Sequence, residues 1–141
     1  MRTHRHRLET LVARLTALLV VLVLAAPADA ARKPTVIVAI ASTAVLSPSG
    51  QSATLEITAR CARRWNVLEA LVTISQPQTF GMGFFPLTCT GRRQTFAVAV
   101  PAQGEVFQPG EAQGSAFVLI ERSGRTQQAQ DSRVVQIVPA G

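Results

Sequence analysis

Beyond residue 30 the chain has no histidine and no tyrosine, a single lysine (Lys33) and a single aspartate (Asp131). Its only histidines, His4 and His6, fall in the first ten residues. These gaps exclude much chemistry. A Ser–His–Asp or Cys–His nucleophile needs an imidazole base. Zinc, copper and iron centres draw on imidazole or several thiolates, and two cysteines do not suffice. The carboxylates of residues 31–141 are Glu56, Glu69, Glu105, Glu111, Glu121 and Asp131, scattered rather than clustered as a calcium loop requires. Gly81-Met82-Gly83 lacks the third glycine and the following helix of a phosphate loop. A pair of acids meeting as a glycosidase dyad is formally open, but solvated surface charge is the simpler account. The sequence predicts a non-catalytic protein with no metal and no cofactor.

The opening residues read as a leader. Met1–Arg14 is polar and basic, Leu15–Ala26 is an apolar run with a single hydroxyl residue, Thr16, and Pro27 stops it before the small-x-small triplet Ala28-Asp29-Ala30. The run is too short for the roughly 20 apolar residues of a membrane-spanning helix, and the triplet fits a signal-peptidase site. The expectation is a cleaved signal peptide at residues 1–30 and a mature domain at 31–141, with no transmembrane segment in the mature chain. The product would be secreted, either extracellular or held at the cell envelope. Of the net charge of +6, the first 30 residues carry four arginines against two acids, leaving ten basic and six acidic groups in the remainder.

The apolar pattern of residues 31–141 has the period of strands. Ala53–Cys61 alternates, with Leu55, Ile57, Ala59 and Cys61 on one side and Thr54, Glu56, Thr58 and Arg60 on the other. Leu68, Ala70, Val72 and Ile74 share a parity, as do Phe96, Val98 and Val100. Further strands are expected at Thr35–Ala41, Leu87–Thr90, Ala112–Arg122 and Ser132–Val138, separated by Gly- and Pro-bearing turns. Seven to eight short strands with such turns predict an all-β, antiparallel β-sandwich.

Cys61 and Cys89, the only cysteines, both face inward by parity in an exported chain, so a disulfide is expected. Its closure should gather Arg60, Arg63 and Arg64 with Arg92 and Arg93, and bring Trp65 beside them. Such a cluster would form an anion-binding site; solvated turn arginines are the alternative. Nucleic acid is a poor candidate, because stacking platforms use several aromatics and only Trp65 is at hand. Phe80, Met82 and Phe84 share one parity, which makes them either the second face of a buried strand or an exposed apolar contact. Phe85 takes the other parity, with Leu87 and Cys89, and is expected in the core.

The segments ITARC (57–61), VTISQ (72–76), LTCTGRRQTFAV (87–98) and FQPGEA (107–112), behind a leader and with one disulfide, resemble small secreted actinobacterial proteins with immunoglobulin-like β-sandwich domains. That resemblance implies an immunoglobulin-like fold and brings no catalytic residues. The functional expectation is a recognition or cell-surface interaction module whose partner is a protein or an anionic cell-envelope polymer. The alternative is an inhibitor of a secreted hydrolase, presenting residues 76–86 as a braced loop.

Overall fold

The computed structural model describes residues 33–141; the expected signal peptide lies outside the described residues. Seven strands follow one another: β1 (Val36–Leu46), β2 (Ser52–Cys61), β3 (Asn66–Gln76), β4 (Thr79–Phe84), β5 (Gln94–Gly104), β6 (Gly110–Arg122) and β7 (Arg125–Pro139). They form a closed barrel in the order β1-β2-β5-β4-β3-β6-β7. Every pairing is antiparallel except the one between β1 and β7, which is parallel.

The closed barrel overturns the expected immunoglobulin-like sandwich, although the all-β class and the disulfide stand. Two features close the wall. β4 pairs with β3 along Thr79–Phe84 and also with β5 through Thr79, Phe80 and Gly81, so no open edge separates two sheets. β1 slips register against β2 between Ile40 and Ala44, and Thr43–Leu46 then runs alongside Gln136–Pro139 of β7.

β4 can lie against β5 because two of its three inward positions, Gly81 and Gly83, are glycines. A Cβ on Gly81 would stand 2.6 Å from the Pro101 carbonyl oxygen and 2.9 Å from Phe107 Cζ, and one on Gly83 would stand 2.9 Å from Val98 Cγ1. Any side chain there would push the wall apart. The glycines that look like a failed phosphate loop are thus a packing device.

The interior is apolar. Leu55, Ile57, Val72, Ile74, Val100, Val118, Ile120 and Val135 are completely buried, and Phe107 fills the space behind Gly81. On β2 the outer positions are Thr54, Glu56, Thr58 and Arg60. This is the reverse of a membrane-spanning barrel, which is polar inside and apolar outside. Among the described residues no helix is long and apolar enough to cross a membrane.

Several local expectations need correction. Leu68 is 56% exposed and does not share the buried face of Ala70, Val72 and Ile74, because an irregularity between Val67 and Glu69 resets the side-chain alternation. Leu87–Thr90 is not a strand; the strand lies at Thr79–Phe84, and residues 85–93 are irregular. β1 runs on from Ala41 to Leu46, and β7 starts at Arg125 rather than Ser132.

Residues 85–93 close one end of the barrel. Phe85 and Leu87 are buried, and the Phe85 ring lies 5.4 Å from that of Phe96. The Cys61–Cys89 disulfide, with Cα atoms 4.7 Å apart, ties this segment to the end of β2. In the chain-entropy picture such a link stabilises by about 3–4 kcal/mol. A disulfide is compatible with an extracellular protein.

Candidate anion-binding site

The barrel has two unlike ends. At one end β1, β3, β5 and β7 begin, while β2 and β6 finish. Arg60, Arg63, Arg64, Arg92, Arg93, Arg122 and Arg125 all lie there. The remaining arginine of residues 34–141, Arg133, sits along β7 and pairs with Asp131 at 2.7 Å. The opposite end carries Glu105 and Glu111 between β5 and the start of β6, and no lysine or arginine. Arginine is therefore segregated along the barrel axis, with Glu69 and Glu121 the acids at the basic end.

The disulfide builds the first part of this end. Arg63 and Arg64 form the turn after β2, where Arg64 takes a left-handed φ of 67°. Arg63 Nε donates to the Thr90 carbonyl at 3.0 Å, and the Gly91 amide donates to the Cys61 carbonyl at 2.9 Å. The Arg92 amide donates to Thr90 Oγ1 at 3.3 Å. Arg63, Cys89, Thr90 and Arg92 line an open hollow of about 430 Å³. Arg60 donates to the Pro34 carbonyl at 3.0 Å, while Arg64 and Arg93 are exposed.

Trp65 lies elsewhere. It is half-buried against the core and lines a second hollow, of about 460 Å³, with Arg122, Ser123 and Arg125. The two hollows share no lining residue. Sequence reasoning missed Arg122 and Arg125, which lie far along the chain from both cysteines. Ser123-Gly124 was the available signal. Both take positive φ (51° and 76°), as a two-residue type I′ hairpin turn requires, and a glycine at the second position suits it. The turn sets Arg122 directly opposite Arg125 in the β6–β7 register. Glu121 Oε1 accepts the Gly124 amide at 2.6 Å, which fixes the turn.

Phe80, Met82 and Phe84 sit on the outer wall, with Phe80 39% and Phe84 67% exposed and Met82 half-buried. Phe84 stands beside Leu71, which stands beside Phe117, in one cross-strand row. The expected second buried face is not what these residues form. Phe85 is buried as expected, and Cys89 is half-buried.

Residues 76–86 do not project as a braced loop. Gln76 and Thr79 pair across the tight turn Pro77-Gln78, and Thr79–Phe84 is part of the wall. Gln76 Nε2 donates to the Gln108 carbonyl at 2.9 Å, and Gln76 Oε1 accepts the Gln108 amide at 3.0 Å, which holds the turn to the β5–β6 connection.

Among the described residues no three His, Cys, Asp or Glu side chains come together in a way that could hold a metal ion. The chemistry on offer at the basic end is that of guanidinium groups, hydroxyls, backbone amides and one indole, which is suited to binding anions. No family model, curated protein or solved structure matches the chain.

Proposed function

We propose that the protein is an extracellular, non-catalytic recognition module whose arginine-rich end binds an anionic polymer of the cell envelope. The observation that carries this reading is the charge segregation: seven of the eight arginines in residues 34–141 stand at one end of the barrel, against two acids, Glu69 and Glu121. Solubility alone is served by mixed charge over the whole surface. A predominantly positive end instead concentrates the field where an anionic chain can approach, and it raises the rate of encounter. Planar guanidinium groups add bidentate hydrogen bonding to phosphate, sulfate or carboxylate.

Retention on a heparin column tests the reading. The variant with Arg63, Arg64, Arg92 and Arg93 all replaced by Ala should elute at clearly lower salt than the parent while melting at a similar temperature. Equal elution would reduce these arginines to ordinary surface charge. Competition by linear polyphosphate, and by vesicles of phosphatidylglycerol, separates a soluble polymer from a lipid surface as the source of the anion.

A further inference from the structure

We infer that the hollow between Trp65 and the β6–β7 hairpin binds an anionic sugar unit, with the indole against the sugar ring and Arg122 and Arg125 on its charged substituent. The inference rests on the polyanion reading above and names the repeating unit that the polymer would contain.

The arrangement begins with an unfavourable contact. Arg122 and Arg125 face each other directly across the hairpin, and like charges at such a position destabilise a strand pair. Among the described residues no acid is ion-paired with either. Glu121, the nearest in sequence, accepts the Gly124 amide on Oε1 and offsets the two charges only in part, and Asp131 is paired with Arg133. An anion placed between the two guanidinium groups removes the repulsion and satisfies donors from both.

Trp65 adds what a bare phosphate site does not need. Its packing against the core fixes one side of the side chain, and the remainder lines the hollow beside Arg122, Ser123 and Arg125. An indole offers a flat apolar surface with one polar edge. A pyranose ring presents a matching flat face of C–H groups while its rim carries hydroxyls and any phosphate, sulfate or carboxylate. The Ser123 hydroxyl can donate to or accept from a ring hydroxyl. About 460 Å³ is room for one or two sugar rings rather than for a folded partner. The other hollow, lined by Arg63, Cys89, Thr90 and Arg92, has cations but no aromatic ring. It would take an anionic group of the same chain without reading the sugar.

Trp65 is the only tryptophan and the chain has no tyrosine, so protein emission reports this hollow directly. The probe is a heparin-derived sulfated disaccharide titrated into the protein, with maltose as the neutral control. The expected result is a saturable change in Trp65 emission with the sulfated sugar and none with maltose. Replacing Arg122→Gln and Arg125→Gln together should weaken that binding by about tenfold or more, the loss expected from removing charge-assisted hydrogen bonds. Replacing Arg63→Gln and Arg92→Gln should weaken it clearly less than the Arg122/Arg125 pair does, because those residues line the other hollow and act on this one only through the field of the shared end; melting temperatures verify that both variants fold. If heparin still retains the protein but the disaccharide leaves Trp65 unchanged, the sugar site is refuted and the polyanion reading survives. If neither retention nor an emission change is seen, both fall. A response to a single-stranded oligonucleotide as strong as that to the disaccharide would overturn the sugar assignment in favour of base stacking.

Discussion

The carboxylate of Asp131, on β7, accepts the backbone amide of Ile40, on β1, at 2.9 Å. The two residues meet at the seam where β1 slips register, upstream of its parallel pairing with β7. A side chain here stands in for the backbone carbonyl that a continuous ladder would supply. The same oxygen, Oδ2, accepts from Arg133 at 2.7 Å, which orients it. The lone aspartate beyond residue 30 is therefore a part of barrel closure.

Asp131→Ala should destabilise the barrel by about 1–3 kcal/mol, since it leaves a partly buried amide without a partner. Asp131→Asn retains an acceptor oxygen and should cost less than half as much. Urea denaturation of the two variants is the measurement. Equal losses would mean that the ion pair, rather than the amide contact, accounts for the effect.

Gly83 and Phe84 are neighbours with opposite parity, and their variants should behave oppositely. Gly83→Ala places a methyl group 2.9 Å from Val98 Cγ1 and 3.2 Å from the Ala99 carbonyl oxygen. Overpacking of this kind costs about 1–3 kcal/mol. Phe84→Ser alters a side chain that is 67% exposed and should shift stability by no more than about 0.5 kcal/mol. Thermal melts of both variants check the assignment of the outer wall. A large loss from Phe84→Ser would return it to the core.

Removal of the disulfide should separate stability from site assembly. Cys61→Ala with Cys89→Ala is expected to cost about 2–5 kcal/mol. The seven-strand wall should persist, because every ladder pairing lies outside residues 85–93. Far-ultraviolet circular dichroism should then be nearly unchanged while heparin retention falls, since Arg92 and Arg93 are no longer held beside Arg63. Undiminished retention would show that the first hollow contributes nothing.

What could be read from the sequence follows the range of each interaction. On β2 the alternation of Ala53, Leu55, Ile57, Ala59 and Cys61 is uninterrupted, and all five are buried. On β3 the same rule places Leu68 wrongly, because an irregularity before Glu69 leaves no mark in a hydrophobic pattern. The first half of β7, Arg125–Gln130, is almost wholly polar and exposed. Its strand conformation comes from pairing with β6, so no burial pattern announces it. Barrel closure depends on which distant edges meet at β4–β5 and β1–β7, information that side-chain periodicity does not carry. The site divides in the same way. Arg63 and Arg92 could be brought together on paper because a covalent link joins their neighbours, whereas Arg122 and Arg125 reach Trp65 through strand pairing alone.

Glu121 is the acid beside the turn between Arg122 and Arg125, at the end where seven arginines gather. Its role is fixed by geometry: Oε1 accepts the Gly124 amide at 2.6 Å and holds the turn that presents Arg122 and Arg125. Glu121→Gln retains an acceptor of the same reach and removes one negative charge. The hairpin should therefore keep its shape and the melting temperature should stay close to that of the parent. The field at the arginine end becomes more positive, and for a solvent-accessible charge that is worth about 0.2–1 kcal/mol, so affinity for a sulfated polymer should rise by roughly 1.4- to fivefold at low salt. The gain should shrink as ionic strength increases and the Debye length falls toward about 8 Å at 0.15 M. Glu121→Ala removes the same charge but also the turn contact, a loss of about 0.5–1.5 kcal/mol in stability. Its affinity should rise less than that of Glu121→Gln, because Arg122 and Arg125 are then held less firmly beside Trp65. If the two variants gain equally, charge alone governs binding and the turn does not position the arginines. If neither gains, the arginine end is not where the polymer sits.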